Sequence, residues 1–169
     1  MRDAVVYDID NTLIDVRRRL YICLKEASNG RKIYRLSDLT PEERDRFWEI
    51  FLSPKYIYLD RPIKETIEEV NAKYDSGLYV IILTGRPENM YRVTISQLNR
   101  YGVKFHRIYM RPIHDKNPDY IYKPSQISRI LAENFNILEY HDDSISALER
   151  VSQLYPNIHT CRHGFGDFL

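Results

Sequence analysis

Apolar and polar positions follow two rhythms along this chain. Ala4-Val5-Val6-Tyr7-Asp8-Ile9 and Leu78-Tyr79-Val80-Ile81-Ile82-Leu83 are short apolar runs rich in β-branched and aromatic residues. Such runs predict strands buried on both faces of a sheet. Lys104 to Met110 and Ile137-Leu138-Glu139-Tyr140-His141 predict two more strands, and Asn157-Ile158-His159-Thr160-Cys161 a weaker fifth. Helical spacing fills the gaps. Pro62 opens a helix to about Ser76 with Ile63, Ile67 and Val70 on one face and Gly77 as its stop. Pro87 opens a second, carrying Met90, Val93, Thr94, Leu98 and Tyr101 and ended by Gly102. Pro124 opens a third, with Ile127, Ile130, Leu131 and Phe135, and Ser144 to Leu154 forms a fourth with Ile145, Leu148 and Val151. Strands alternating with helices predict an α/β fold: three layers, with a mainly parallel five-stranded sheet between helices.

One stretch breaks the alternation. Between Asp15 and Asp60 the pattern holds roughly two helices and no strand. Val16, Leu20, Cys23, Leu24 and Ala27 keep helical spacing. Thr40-Pro41-Glu42-Glu43 is a capping box opening a helix with Phe47, Trp48 and Phe51. The expected organisation is one domain over 1–169, with a small helical cap or flap inserted at about 16–60, directly after the first strand. Ligands of parallel sheets bind at the carboxyl ends of the strands, so the insertion is expected beside the site.

Composition narrows the class. The 169 residues suffice for one real core, and a net charge of +1 gives no overall field for a polyanion. Cys23 and Cys161 form no C-x-x-C pair, which suits a reducing compartment. Arg2, Asp3, Asp8 and Asp10 interrupt the first apolar stretch, and no run is long enough to span a bilayer. The expectation is a cytoplasmic protein without membrane partners. Its oligomeric state is not legible.

The chemistry collects where the strands end. Side chains two apart on a strand point the same way, so Asp8 and Asp10 can reach one small volume. Two carboxylates that close repel, and a divalent cation relieves both this repulsion and that of an approaching phosphate dianion. Asp142 and Asp143 end another strand and can complete an oxygen-only shell of the kind that suits Mg2+. Thr84 and Gly85 offer a hydroxyl and backbone N–H groups at an expected helix start, a cradle for phosphate. The Lys123 ammonium can balance charge on Asp8 and on a transferred phosphoryl group. Each item also has an ordinary reading: surface acids, a plain turn, a solvated lysine, helix caps for Asp142 and Asp143. A calcium loop fails, because Leu13 and Arg19 occupy the positions of its glycine and closing glutamate.

Together, D-x-D-x-T-L at Asp8 to Leu13, T-G-R at Thr84 to Arg86, K-P at Lys123-Pro124 and D-D at Asp142-Asp143 resemble the four motifs of the haloacid dehalogenase (HAD) superfamily. The resemblance covers nearly the whole chain. It implies a Rossmann-like sheet and a Mg2+-dependent phosphatase in which Asp8 attacks phosphorus and becomes an aspartyl-phosphate. Asp10 is expected to protonate the leaving oxygen and then to activate water. Asp8, the backbone carbonyl of Asp10, Asp142 and, in the outer shell, Asp143 are expected to hold the metal. Thr84, Gly85 and Lys123 are expected to hold the phosphoryl oxygens.

A narrower likeness is to the phosphatase domain of polynucleotide kinase-phosphatases, which removes 3′-phosphates from nucleic-acid ends. It rests on Thr84-Gly85-Arg86-Pro87, Tyr91-Arg92-Val93-Thr94, Tyr109-Met110-Arg111-Pro112, Asp115, Asp119, Lys123 and the ending Gly166-Asp167-Phe168. It implies substrate-binding roles at the mouth for Arg86, Arg92 and Arg111. The chain departs from it at Asn11, where glycine is commoner, in having no G-x-x-x-x-G-K-[ST] loop, and in the 16–60 insertion. From Val16 to Leu36, Arg17, Arg18, Arg19, Lys25, Arg31, Lys32 and Arg35 face a single acid, Glu26, with Tyr21 and Tyr34 interleaved. Such a segment can track a nucleic-acid backbone and stack an end base, or it can simply be a solvated face. The leading expectation is a polynucleotide 3′-phosphatase whose partner is a phosphorylated nucleic-acid end. The alternatives are a nucleotidase or other small-molecule phosphatase, a protein phosphatase, and a HAD-shaped nucleic-acid-binding module without catalysis.

Overall fold

The structure is a computed structural model and describes residues 1–165; the likeness at Gly166-Asp167-Phe168 lies outside the described residues. Five parallel strands form the main sheet: β1 (Arg2–Tyr7), β4 (Tyr79–Pro87), β5 (Arg107–Arg111), β6 (Phe135–Asp142) and β7 (His159–Arg162), in the order β5-β4-β1-β6-β7. Two short strands, β2 (Ile14–Asp15) and β3 (Arg61–Pro62), pair antiparallel.

Alternation along β1 divides the core. Val5 and Tyr7 join Ile67 and Val70 of α3 (Lys64–Asp75) and Leu98 of α4 (Tyr91–Arg100) on one face. Ala4 and Val6 join Tyr122, Ile127 and Ile130 of α5 (Asp119–Ala132) and Leu148 and Val151 of α6 (Ile145–Leu154) on the other. Period-two side chains on a doubly covered strand therefore produce the three layers expected from the sequence.

The segment after β1 holds α1 (Arg17–Ala27) and α2 (Pro41–Phe51). The capping box of α2 is made as expected: Glu43 N donates to Thr40 Oγ1 at 3.2 Å, and Thr40 N donates to Glu43 Oε2 at 2.9 Å. The β2–β3 ladder pins the two ends of this segment together. Leu20, Cys23, Leu24, Phe47 and Phe51 are buried in the same cluster as Val5 and Tyr7. Among the described residues, no helix is long and apolar enough to cross a membrane.

The boundaries at Pro62, Pro124 and Phe135 differ from the sequence reading, each for a local reason. Pro62 lies in β3 rather than opening a helix, because it pairs across the ladder with Ile14. The third helix begins at Asp119, so Pro124 sits inside it; the helix forgoes only the bond that Pro124 would have donated to Tyr120. Phe135 begins β6 rather than ending α5, because Asn134 turns the chain at φ 69°.

Candidate active site

The carboxyl ends of β1, β4 and β6 meet at one rim. β1 stops at Tyr7, and the chain turns sharply: Thr12 N, Leu13 N and Ile14 N all donate to Ile9 O, at 3.1, 2.9 and 3.0 Å. Asn11 takes φ 59°, a left-handed angle that asparagine tolerates, and its Oδ1 accepts from Val16 N at 3.2 Å. Asp8 N donates to His141 O at 2.9 Å, which locks the start of this turn to the neighbouring strand just before Asp142.

Lys123 is the centre of charge. Its Nζ donates to Asp8 Oδ1 at 2.7 Å, to Leu83 O at 2.9 Å and to Asp142 Oδ2 at 3.1 Å. It is 1% exposed, so all three bonds are made away from water. Asp142 is fixed further by Ser144 N, which donates to its Oδ1 at 2.9 Å, and by the Tyr140 hydroxyl, which donates to its Oδ2. Asp8, Asp142 and Asp143 each offer an oxygen within 4.8 Å of the others.

Three carboxylates facing one ammonium leave negative charge uncompensated. Burial, and next Asp142, push Asp8 well above the usual carboxylate range. The same two causes raise Asp143 to about 7. The donor set fits a small hard dication: it is all oxygen, close-spaced, and short of positive charge. Asp143 prefers its proton in the folded state, so its contribution to stability is present below its ordinary value of 3.8 and is lost as pH rises through about 7. A cation held by these oxygens would offset that loss. The Tm gain from Mg2+ is therefore expected to be small well below pH 7 and to grow as pH passes through it. Thermal unfolding with Mg2+ or with chelator across pH measures it.

Asp10 is placed differently. Its carboxylate lies outside that trio and inside an arginine clamp. Arg86 Nη2 donates to Asp10 Oδ1 at 2.6 Å and Arg86 Nε to the same oxygen at 3.1 Å, while Arg19 Nη2 reaches it at 3.1 Å. Burial opposes ionisation, but Arg86 and then Arg19 outweigh it and hold the Asp10 carboxyl below its usual range. Both guanidinium groups also serve Asp60, which is fully buried: Arg19 Nε donates to its Oδ1 at 2.9 Å, and Arg86 Nη2 lies 3.5 Å from its Oδ2. Gln97 Nε2 donates to Asp60 Oδ2 at 2.9 Å and its Oε1 accepts from Arg86 Nη1 at 2.8 Å. Two arginines and two aspartates thus face one another in a network joining α1, α4 and the β1 turn, buried except at Asp10, whose side chain is partly exposed.

Arg86 therefore does not stand at the mouth as the sequence suggested. Its side chain is fully buried because Asp10 and Asp60 would otherwise lack compensation. Arg111 is also engaged: Nε donates to Gly85 O at 3.2 Å, Nη2 to Asp119 Oδ1 at 2.6 Å, and the guanidinium lies 4.1 Å over the Tyr122 ring. Arg92 is exposed on α4. Thr84 and Gly85 do not start a helix. β4 continues to Pro87, and its pairing with β5 skips from Leu83↔Tyr109 to Pro87↔Arg111. This bulge displaces residues 84–86 from the regular ladder. Thr84 Oγ1 accepts from Arg86 N at 3.1 Å, and the residue is buried.

In the sequence Arg19 stands among the basic residues of the 16–36 stretch and Thr94 on a helix face, and neither they nor Asp60 and Gln97 carry an expected place in this network. A signal for Arg19 existed. It follows Val16 by three residues and precedes Cys23 by four, so it lies on the apolar face of α1. Thr12 Oγ1 is the buried side-chain atom without a hydrogen-bond partner among the described residues.

No protein-family model matches the chain, and no curated protein matches it. Solved structures do. A chain of the Pnkp1/Rnl/Hen1 complex superposes with a TM-score of 0.68 at 19% identity, covering 99% of this chain and 48% of that one. This chain thus spans about half the length of that protein. The class C acid phosphatase from Bacillus anthracis with tungstate bound gives a TM-score of 0.61 at 14% identity, covering 96% of this chain and 67% of the other. Protein Tyrosine Kinase A (PtkA) of Mycobacterium tuberculosis gives 0.73 at 14% identity, covering 98% and 87%. Proteins with different named activities share this architecture, so fold alone does not fix the reaction. At these identities the likeness is one of fold alone.

Proposed function

We propose that the chain is a divalent-metal-dependent phosphomonoesterase that works through an aspartyl-phosphate on Asp8. The observation that carries this reading is the meeting of Asp8, Asp142 and Asp143 around the buried Lys123 ammonium at the strand ends. Asp8, Asp142 and Asp143 would hold Mg2+, which when bound supplies charge neutralisation for a phosphate dianion beside an anionic nucleophile.

The chain's own residues divide the rest of the work. An Asp8 oxygen forms a bond to phosphorus as the bond from phosphorus to the leaving oxygen breaks. Lys123, at 2.7 Å from Asp8 Oδ1, steadies the nucleophile and then the charge that builds on the phosphoryl oxygens. Thr84 and the displaced backbone beside it are the expected phosphoryl cradle. Asp10 gives a proton to the leaving oxygen, then takes one from the water that splits the acyl phosphate and restores Asp8. The arginine clamp favours ionised Asp10, the wrong state for an acid. Asp10 must turn from Arg86 and Arg19 toward Asp8 before it can protonate anything. Arg19 lies on α1, so the insertion takes part in holding the resting position.

The favoured substrate is a 3′-phosphate end of nucleic acid. Arg17, Arg18, Lys25, Arg31, Lys32 and Arg35 are exposed on the inserted segment, and Tyr21 and Tyr34 are 58% and 76% exposed. Some of this charge is already paired, Arg17 with Asp15 and Arg31 with Glu43, which leaves Arg18, Lys25, Lys32 and Arg35 as the principal expected phosphate contacts. The likeness to a chain of the Pnkp1/Rnl/Hen1 RNA repair complex supports the same class. A 3′-phosphorylated oligonucleotide is expected to exceed the matching mononucleotide in kcat/KM by roughly tenfold or more. That advantage is expected to shrink as salt rises, because counterion release weakens polyanion binding. Equal turnover of both substrates, insensitive to salt, would instead favour a nucleotidase or another small-phosphoester phosphatase with the insertion as its lid.

A further inference from the structure

A second group of ligand-type side chains lies across the sheet from Lys123. Glu139 and His141 alternate on β6, and Cys161 and His163 alternate along β7 and the residue after it. His141 pairs in register with Cys161, so the two i, i+2 pairs stand side by side on one face. Glu139, His141 and Cys161 each offer an atom within 4.8 Å of the others. His163 Nε2 lies 2.8 Å from His141 Nδ1. Glu69 of α3 closes the group, 3.6 Å from His141 Nδ1.

The protein's own hydrogen bonds serve the imidazole and the carboxylates but not the thiol. His141 Nε2 is 2.7 Å from Glu139 Oε2 and 3.3 Å from Lys73 Nζ, and Lys73 also binds Glu139 Oε2. With Nε2 protonated, His141 donates to Glu139 and accepts from His163 at Nδ1. Cys161 is poorly served, its Sγ reaching His159 O at 4.0 Å. Glu69 and Glu139 both pair with Lys73, so two carboxylates share one ammonium, and formation of a thiolate beside them would add negative charge that a dication would offset.

We infer that Glu139, His141 and Cys161 form a site for a borderline-soft divalent metal, Zn2+ above all, distinct from the all-oxygen site at Asp8, with His163 orienting His141 from its Nδ1 side. Imidazole, thiolate and carboxylate together are a zinc donor set, whereas Mg2+ prefers oxygen alone. A tetrahedral ion with bonds of about 2.0–2.3 Å needs donors roughly 3.5 Å apart, and atoms already within 4.8 Å reach that by small rotations. Lys73 is 21% exposed at its side chain and can swing outward as the ion takes its place between Glu139 and His141. The Cys161 proton leaves to solvent on binding.

The position gives such an ion leverage. His141 O accepts from Asp8 N at 2.9 Å, and His163 N donates to Asp142 O at 2.9 Å. Both strand ends that carry the acidic trio are therefore tied to residues of this second site. A metal there would stiffen those ends and add stability with no part in the chemistry.

Co2+ is the probe. Chelator-stripped full-length protein, held in saturating Mg2+ to fill the oxygen site, is titrated with Co2+ and followed by absorption. One equivalent is expected to bind with a thiolate-to-cobalt charge-transfer band and to raise Tm. In Cys161→Ser the band is expected to vanish. In His163→Ala, affinity is expected to fall roughly tenfold or more while the band persists at higher Co2+. Cys23 is fully buried away from the group, so Cys23→Ser is expected to keep the band. Absence of the band in the parent protein overturns the inference, as does a band that survives Cys161→Ser. Neither result depends on phosphatase activity.

Discussion

Replacing Asp8 by asparagine is expected to lower phosphoester turnover by roughly 10⁴-fold or more, because the variant has no oxygen nucleophile at that position. The size of the loss follows from the site. Asp8 is 5% exposed at the rim and is the acid held 2.7 Å from the buried ammonium, so no neighbouring group takes over its position. The same change removes one of three crowded carboxylates while Lys123 keeps its bond to Asp142. Asp8→Asn is therefore expected to fold at least as stably as the parent when metal is absent. Activity and melting measured on one preparation separate a lost nucleophile from a lost fold.

The largest effect on stability is expected at Arg86. Arg86→Met keeps much of the side chain's volume but leaves Asp10 with Arg19 alone and strips Asp60 and Gln97 of a partner. Removing one member of a buried charge network strands the others, at a cost of about 3–5 kcal/mol. For a chain of this length that corresponds to a Tm lowered by about 10 °C. Arg86→Met combined with Asp10→Asn is expected to recover part of the loss, since one stranded charge is then gone. Urea unfolding of the two single variants and the double variant measures the coupling. A loss below about 1 kcal/mol for Arg86→Met would place Arg86 at a solvated surface, contrary to its burial.

Where the sequence was legible, local rules and tertiary packing agreed. The apolar run ending in Asp8 could only be an interior strand, and a turn to water at its end follows from the polar residues after it. Asp142 was legible by the same logic on β6. The Thr40 capping box closes within its own four residues and needed no knowledge of the rest. Failures came where a partner is distant. Arg19 meets Asp60 across 41 residues, and in sequence it hides among Arg17 and Arg18, both exposed. Its helical phase marked it for the core, but charge composition argued for solvent. Arg86 misled for the same reason: a guanidinium was assigned to an external anion when Asp10, 76 residues away, already claimed it. Thr84 and Gly85 misled because a strand that bulges and continues looks, residue by residue, like a strand that has ended.

The central claim is that Asp8 carries the phosphoryl group. Rapid acid quench during turnover of a labelled phosphomonoester, then borohydride reduction of the acyl phosphate and peptide mapping, reads that position directly. Protein-bound label before reduction and homoserine at residue 8 after it, the phosphate having left on reduction, both absent from Asp8→Asn, are the predicted result. Turnover with no protein-bound phosphate, or with label on any other residue, would contradict it.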